Sequence, residues 1–342
     1  MNRQDIKLPS EVSDNTPWGN SSPRGVRFSM ENFLKKKDSR LGERIMEKLL
    51  LLAGLSSVII IGLIFIFLFK EAVLFFKTGN PFHLIGRTVY DAWEEKNIFN
   101  MMWQPVSETP KYSLLPLICG SFLVSFPATL IAALFGVSCA VYLSEIASPR
   151  AREILKPSLE LLAGIPSVVL GFLMLAVMAS VIQNVLHTKF RLNAFVGALG
   201  VALATFPIIV TISEDALQAV PQELRNASYA LGATRWQTTF GTVIPAAVSG
   251  IIASILLGFG RALGETMVVL MATGNAAIIT GNIFSSVRTM TATLAAELGE
   301  VAQGGEHYYA LFLVGAVLFT FTFILNIFSE MILTKSRERL RM

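Results

Sequence analysis

The sequence predicts an all-α integral membrane protein with six transmembrane helices, and three observations carry that prediction. Hydrophobic residues make up 53% of the 342 and charged residues only 15%, with a mean hydropathy of +0.59. A soluble domain carries nearer to about a quarter charged residues. Six apolar stretches are each long enough to cross a hydrocarbon core of ~30 Å. Lysine and arginine then fall unevenly on the segments between those stretches, which is what fixes orientation in a membrane.

Residues 1–45 are rich in Ser, Pro, Asn and Lys without an apolar period, and read as a polar cytoplasmic tail that tightens into a helix near Leu41 to Lys48. The run Lys35, Lys36, Lys37 reads as a basic flank beside a span rather than a nucleic-acid contact. Residues 46–111 hold the first span, Leu49 to Phe69, and an external loop from Lys70 to Lys111. The leader is too long for a signal peptide and no small-residue cleavage site follows, so this span is expected to stay uncleaved. Tyr90, Trp93 and Trp103 in the loop read as interfacial anchors.

Residues 112–342 form the predicted core with five more spans. These are Leu114 to Leu143, Leu159 to Leu186, Asn193 to Ile212, Ala246 to Met271, and Tyr308 to Leu333. Residues 276–305, rich in Gly and Thr, either lie on the outer face or dip part-way in. Pro127, Pro166 and Pro207 fall within spans, where each frees a carbonyl and bends its helix. Ser167 and Thr205 beside them either line a cavity or satisfy such carbonyls.

Six spans with an internal N-terminus put both termini in the cytoplasm. Arg24, Arg27, Lys35 to Lys37, Arg40, Arg44 and Lys48 precede the first span, and Arg150, Arg152 and Lys156 follow the second. Arg225 and Arg235 lie before the fifth span, and Lys335, Arg337, Arg339 and Arg341 end the chain. The opposite side carries few cations for its length: Lys70, Lys77, Arg87, Lys96, Lys111, Lys189, Arg191 and Arg288. Residues 213–245 therefore form a cytoplasmic loop.

That loop has the pattern of two short helices joined by a glycine. Pro221 suits a helix start, and Leu224, Ala227, Ser228 and Leu231 share one face at spacings of three and four. Gly232 falls where a left-handed residue ends a helix. Thr234 and Gln237 have capping-box spacing for the next helix, whose apolar side is Trp236, Phe240 and Val243. Helices this short are not stable alone and need something to dock on.

The fifth span carries the most informative charges. Arg261 lies thirteen residues after Val248, about 20 Å along a helix, where insertion costs about 2.5–3.5 kcal/mol. Glu265 follows at i, i+4. Either the two form a structural ion pair, or they line a pathway. In the second reading the guanidinium offers a planar fork to a tetrahedral oxyanion, and the glutamate keeps the site near neutral. Gly258, Gly260 and Gly264 around Arg261 suit close helix packing, or a wall past which an ion moves.

Other chemistries find no support. There is no G-x-x-x-x-G-K-[ST] loop for ATP. His83, His187 and His307 lack metal-ligand spacing and read as surface residues, and no catalytic Ser/His/Asp or Cys/His set emerges. Cys119 and Cys139 would lie roughly 30 Å apart on one helix and cannot bridge. The chain reads as a transport subunit, not an enzyme.

Three stretches carry a family resemblance. The coupling loop of bacterial ABC-importer permeases reads Glu-Ala-Ala, three residues, Gly, nine residues, Ile, any residue, Leu-Pro. It is matched by Asn226, Ala227, Ser228, Gly232, Thr242, Ile244 and Pro245, with four departures: Asn for Glu, Ser for Ala, Thr for Ile and Ile for Leu. R-A-L-G-E-T-M-V-V-L-M-A-T-G-N, from Arg261 to Asn275, and E-L-L-A-G-I-P-S-V-V-L-G-F, from Glu160 to Phe172, resemble segments of phosphate importers. From about Tyr112 onward the chain resembles the C-type permease subunit of Pst-type phosphate ABC importers.

The resemblance implies a type I ABC-importer permease fold in the bacterial inner membrane, and inorganic phosphate as substrate. Its implied partners are membrane lipids, a second related permease, an extracytoplasmic phosphate-binding protein, and a dimeric ATPase that holds the ATP and Mg. Nucleic acid is not among them. Arg261 and Glu265 become pathway residues; Leu224, Ala227, Ser228, Leu231, Gly232, Ile244 and Pro245 become the ATPase-coupling set. Sulfate, molybdate or an amino acid remains an alternative substrate, since the coupling loop is shared. An ion-gradient transporter would have no use for a docking helix pair.

Overall fold

The structure is a computed structural model that describes residues 40–78, 81–91 and 96–339. The polar tail before residue 40, with Lys35 to Lys37, lies outside the described residues, as do Trp93 and Arg341. Among the described residues, six helical segments are long and apolar enough to cross a membrane, as expected.

The chain divides into two units, at Gly62. In the first, residues 40–62 are helical and their apolar side chains, from Ile45 to Ile61, are exposed. They belong to α1 (Arg40–Thr78), whose 39 residues make about 58 Å, well beyond the ~30 Å a bilayer needs. The sequence reading ends this span at Phe69 on polarity. The helix continues because nothing from Lys70 to Thr78 breaks it, and Pro81 then opens a separate 3-10 turn.

The second unit opens, after α1, on two small antiparallel hairpins within the predicted external loop. β1 (Arg87–Asp91) pairs with β2 (Lys96–Asn100), and β3 (Trp103–Gln104) pairs with β4 (Lys111–Tyr112). α2 (Leu115–Val141) follows and widens into a π-turn over Tyr142–Ile146. α3 (Pro149–Ala163) is amphipathic, with Ser148 accepting from the Ala151 amide as its N-cap.

The sequence reading runs the third span from Leu159. Instead Gly164 to Pro166 break the chain, and the span starts at α4 (Ser167–Leu173) and continues through a π-turn to α5 (Ala179–Leu186). Pro166 is thus a boundary residue and bends no span; it disfavours helix at Ile165 before it. α6 (Ala194–Gln218) is capped by the Asn193 side chain and carries Pro207 internally.

Two short helices follow, α7 (Gln222–Ala230) and α8 (Arg235–Thr238), then a π-turn over Thr239–Val243 and α9 (Ile244–Gly264). The sequence reading carries the fifth span to Met271, but α9 stops at Gly264. Glu265 is extended, with ψ 132°, and α10 (Met267–Ala272) begins anew. The chain ends with α11 (Met290–Glu297) and α12 (Glu306–Arg339).

Within residues 276–305, Val287 and Thr289 to Thr293 are buried against the bundle. The Met290 amide donates to Ser121 Oγ of α2 at 2.9 Å, and Thr291 Oγ1 donates to the Glu265 carbonyl at 2.7 Å. A Cβ on Gly120 would stand 2.2 Å from the Arg288 carbonyl oxygen, so only glycine lets this segment lie against α2.

Three apolar clusters hold the second unit. One lies mid-bundle around Val124, Met174, Val201 and Val268. One gathers Phe75, Trp103, Tyr112, Leu117 and Leu311 at the hairpin end. The third joins Leu143, Val210, Leu217 and Val243 at the opposite end, beside α7 and α8. Small residues set the spacing. Ile209 of α6 is fully buried between Gly136 of α2 and Gly258 of α9, where added Cβ atoms would meet it at 3.1 and 2.7 Å.

Candidate functional site

The break after α9 creates a cavity. Arg261 stands in the last turn of α9, where the helix's carbonyl end favours a cation. The guanidinium is exposed to the cavity, and no salt bridge to it occurs among the described residues. Glu265 does not pair with it, because the i, i+4 geometry needs a helix that has already ended. The Glu265 carboxylate instead accepts the Thr266 and Val268 amides at 3.1 and 3.4 Å and caps α10.

Around these two residues lies an open cavity of about 330 Å³, lined also by Ile165, Ser167, Ala204 and Gly264. Ser167 opens α4 and lines the same cavity as Arg261, so the positive end of that helix's dipole lies beside it. Small side chains from α3, α6 and α9 keep the walls thin. One full cation, one carboxylate engaged as a cap, and a helix N-terminus make a setting suited to an anion of a few atoms. Thr205 plays no part in it: its hydroxyl is buried and donates to the Val201 carbonyl at 2.8 Å. Gly264 has open space where a Cβ would be, while Gly258 is filled by Ile209.

The second candidate region is the helix pair α7–α8. Both helices form where the spacing predicts. Gly232 has φ +82°, and the Ala233 and Gly232 amides reach the Ser228 and Tyr229 carbonyls at 3.2 and 2.9 Å, a Schellman ending. Thr234 and Gln237 complete a reciprocal capping box. Leu231 is 90% exposed, and Leu224, Ala227 and Tyr229 are exposed beside it. Trp236 and Phe240 stack at 5.6 Å with interplanar angle 10°, and both are exposed, whereas Val243 is buried. Ser228 turns the other way and bonds Thr238 at 2.9 Å, tying α7 to α8. Ile244 is half-buried and Pro245 exposed, in the first turn of α9.

Two arrangements carry no sequence signal. The inner face of α7 is held by Arg225, which pairs with Glu145 in the π-turn after α2 and donates to the Leu217 carbonyl at 2.8 Å. Only a lone acid at the end of an apolar run hints at this contact. At the hairpin end, Glu297 accepts from Trp103 Nε1 at 2.9 Å and Arg288 at 2.7 Å, with His307 Nε2 at 2.9 Å. Trp103 is therefore a core residue and no interfacial anchor, and His307 is a half-buried partner of a carboxylate. Burial, with the Glu306 carboxylate adding to it, pushes the neighbouring Tyr112 phenol up to about 12. Among the described residues no cluster of metal-ligating side chains occurs.

A family model described as binding-protein-dependent transport system inner membrane component matches residues 132–338. The probable ABC transporter permease protein YqgH of Bacillus subtilis is 36% identical over 225 residues, covering 66% of this chain and 73% of that protein. The phosphate transport system permease protein PstC of Mesorhizobium japonicum is 33% identical over 242 residues, 65% of this chain and 73% of that one. Among solved structures, a bacterial ABC transporter for import of the acidic polysaccharide alginate superposes with TM-score 0.53 at 17% identity, over 87% of this chain and 99% of that chain. The inward-facing MetNI methionine ABC transporter does so with TM-score 0.51 at 15% identity, over 65% and 95%. At those identities the likeness concerns the fold, that of ABC-importer permeases.

Proposed function

Since this chain belongs to the family of binding-protein-dependent transport system inner membrane components, we propose that it conducts inorganic phosphate as one permease subunit of an ATP-driven importer. It is a multi-pass inner-membrane protein and a transport subunit of an ABC system, not an enzyme. The phosphate assignment is supported by relatives named PstC and by the cavity that brings Arg261, Ser167 and Glu265 together. That cavity is the single observation that carries it.

In this reading the end bearing α7, α8 and the Arg150–Lys156 cations faces the cytoplasm, with both termini, and the hairpin end faces outward. An extracytoplasmic phosphate-binding protein delivers the anion to the hairpin end. A second, related permease completes the path, and lipid surrounds the exposed apolar faces. Two copies of an ATPase, which hold the ATP and Mg, receive Leu224, Ala227, Leu231 and the Trp236–Phe240 stack. Ser228, Gly232, Ile244 and Pro245 set the angle at which that foot meets α9. Closure of the ATPase pair moves the foot, and the cavity is exposed to each side in turn.

Within the cavity the chemistry is electrostatic. The Arg261 fork offers two parallel N–H donors to phosphate oxygens, and charge-assisted bonds of this kind are roughly twice as strong as neutral ones. Glu265 and the apolar walls limit the depth of the well, so that the anion leaves as well as enters.

The test is uptake by the reconstituted complex with phosphate, sulfate, molybdate and an amino acid as competing solutes. ATP-dependent uptake of phosphate that the others do not suppress supports the reading. Uptake of one of the others in preference to phosphate replaces the substrate, and uptake without an associated ATPase refutes the class.

A further inference from the structure

We propose that Arg225 and Glu145 form a buried pin through which the coupling foot drives the second and fourth spans, in addition to the fifth. This rests on the reading of the chain as an ATP-driven permease.

The sequence suggests that motion of α7 passes along the chain into α9. The side-chain contacts of α7 point elsewhere. Leu224, Ala227 and Leu231 are exposed, while Arg225 and Ser228, three residues apart, form the half-buried stripe beside them. One stripe of the helix is fastened to the protein and the adjoining apolar positions are free to be gripped. The Arg225 side chain is 12% exposed and that of Glu145 only 6%. One arm of the guanidinium holds the Glu145 carboxylate and the other donates to the Leu217 carbonyl at 2.8 Å. A single planar group thus bridges the π-turn that ends the second span and the last turn of α6. Lysine has no such fork.

The receiving turn is braced on its far side. Ser144 donates to the other oxygen of Glu145 at 2.8 Å. Arg152 of α3 donates to the Leu143 carbonyl at 2.6 Å and the Ser144 carbonyl at 3.1 Å. Lys156 of α3 reaches Glu214 of α6 at 2.8 Å, and Gln218 shares that carboxylate at 2.7 Å. A push on α7 therefore meets a braced joint and not a loose turn.

The joint leads to the cavity. Leu217 is thirteen residues along α6 from Ala204, which lines the wall beside Arg261, a distance of about 20 Å along a helix that carries Pro207 between the two. Displacing the end of α6 tilts the wall that Ala204 forms. Arg225 is thus a positioning residue: it touches neither phosphate nor ATP.

The experiment measures phosphate transported per ATP hydrolysed, using the full complex in proteoliposomes with its binding protein. Arg225→Met and Glu145→Gln are expected to keep ATP hydrolysis while the ratio falls by about tenfold, within the usual span of a coupling free energy. The reversed pair, Arg225→Glu with Glu145→Arg, is expected to recover part of the ratio, since the ion pair re-forms although the Leu217 contact does not. Arg225→Lys keeps the charge without the fork and is expected to lower the ratio less than Arg225→Met; it decides the matter if the other variants fail to assemble. A wild-type ratio in Arg225→Lys and in every assembled variant overturns the pin. Equal losses of hydrolysis and transport, leaving the ratio unchanged, overturn it too. Absence of ATP-dependent uptake in the unaltered complex would refute the underlying function instead.

Discussion

A guanidinium carried into an apolar bundle must find its counter-charge somewhere, and Arg261 finds none within the described residues. Glu265, its nearest acid in sequence, is spent on the Thr266 and Val268 amides. Glu265→Gln keeps an acceptor oxygen for that cap while removing its negative charge. The expected outcome is tighter holding and slower release, so that KM and kcat for phosphate uptake both fall. An unchanged pair of constants would place the carboxylate outside the path. At Gly120 the constraint is steric: alanine would press on the Arg288 carbonyl at 2.2 Å. Gly120→Ala should lower the stability of the purified protein by about 1–3 kcal/mol, read as a lower thermal midpoint in detergent. Tyr112 supplies a pH dependence outside the spans. Its folded pKa of about 12 lies above the ordinary tyrosine value of 10.0, so the stability it adds is full below pH 10 and declines as pH rises toward 12. Tyr112→Phe should remove that decline, measured by the midpoint of unfolding against pH.

Among the elements, those built from local contacts are the legible ones. The ending of α7 and the start of α8 follow from Gly232, Thr234 and Gln237, whose partners lie within five residues. Breaks within apolar runs are not legible in the same way, because hydropathy continues across them. Gly164–Pro166 and Glu265–Thr266 each divide what reads as one span, and the second break decides the geometry of the cavity. The partner of Trp103 is equally hidden, since Glu297 lies 194 residues away. Periodicity cannot show a contact of that range. The foot gives a prediction at this scale. Gly232 has open space where a side chain would go, so its φ of +82° is the sole obstacle to substitution. Gly232→Val should cost roughly 1–2 kcal/mol locally and tilt α7 against α8. The expected outcome is weaker co-purification of the ATPase with membrane insertion unchanged; full retention would show that the angle between the helices is immaterial.

At the scale of the second unit, both small helices lie at one end and both hairpins at the other, and the proposed path therefore has two unlike mouths. The membrane class and the number of spans follow from composition and apolar length alone, because lipid imposes both. What composition does not reveal is how the mouths communicate, and the Arg225 fork and the α3 braces supply that link. In the proposed function an ATP-driven foot acts on a cavity whose anion is held by Arg261. The most direct measurement is ATP-dependent phosphate uptake by the assembled complex carrying Arg261→Ala. Uptake is expected to fall by at least about tenfold while the complex still forms and hydrolyses ATP, because a charge-assisted contact to the solute is lost. Uptake at the wild-type rate in that variant would contradict it.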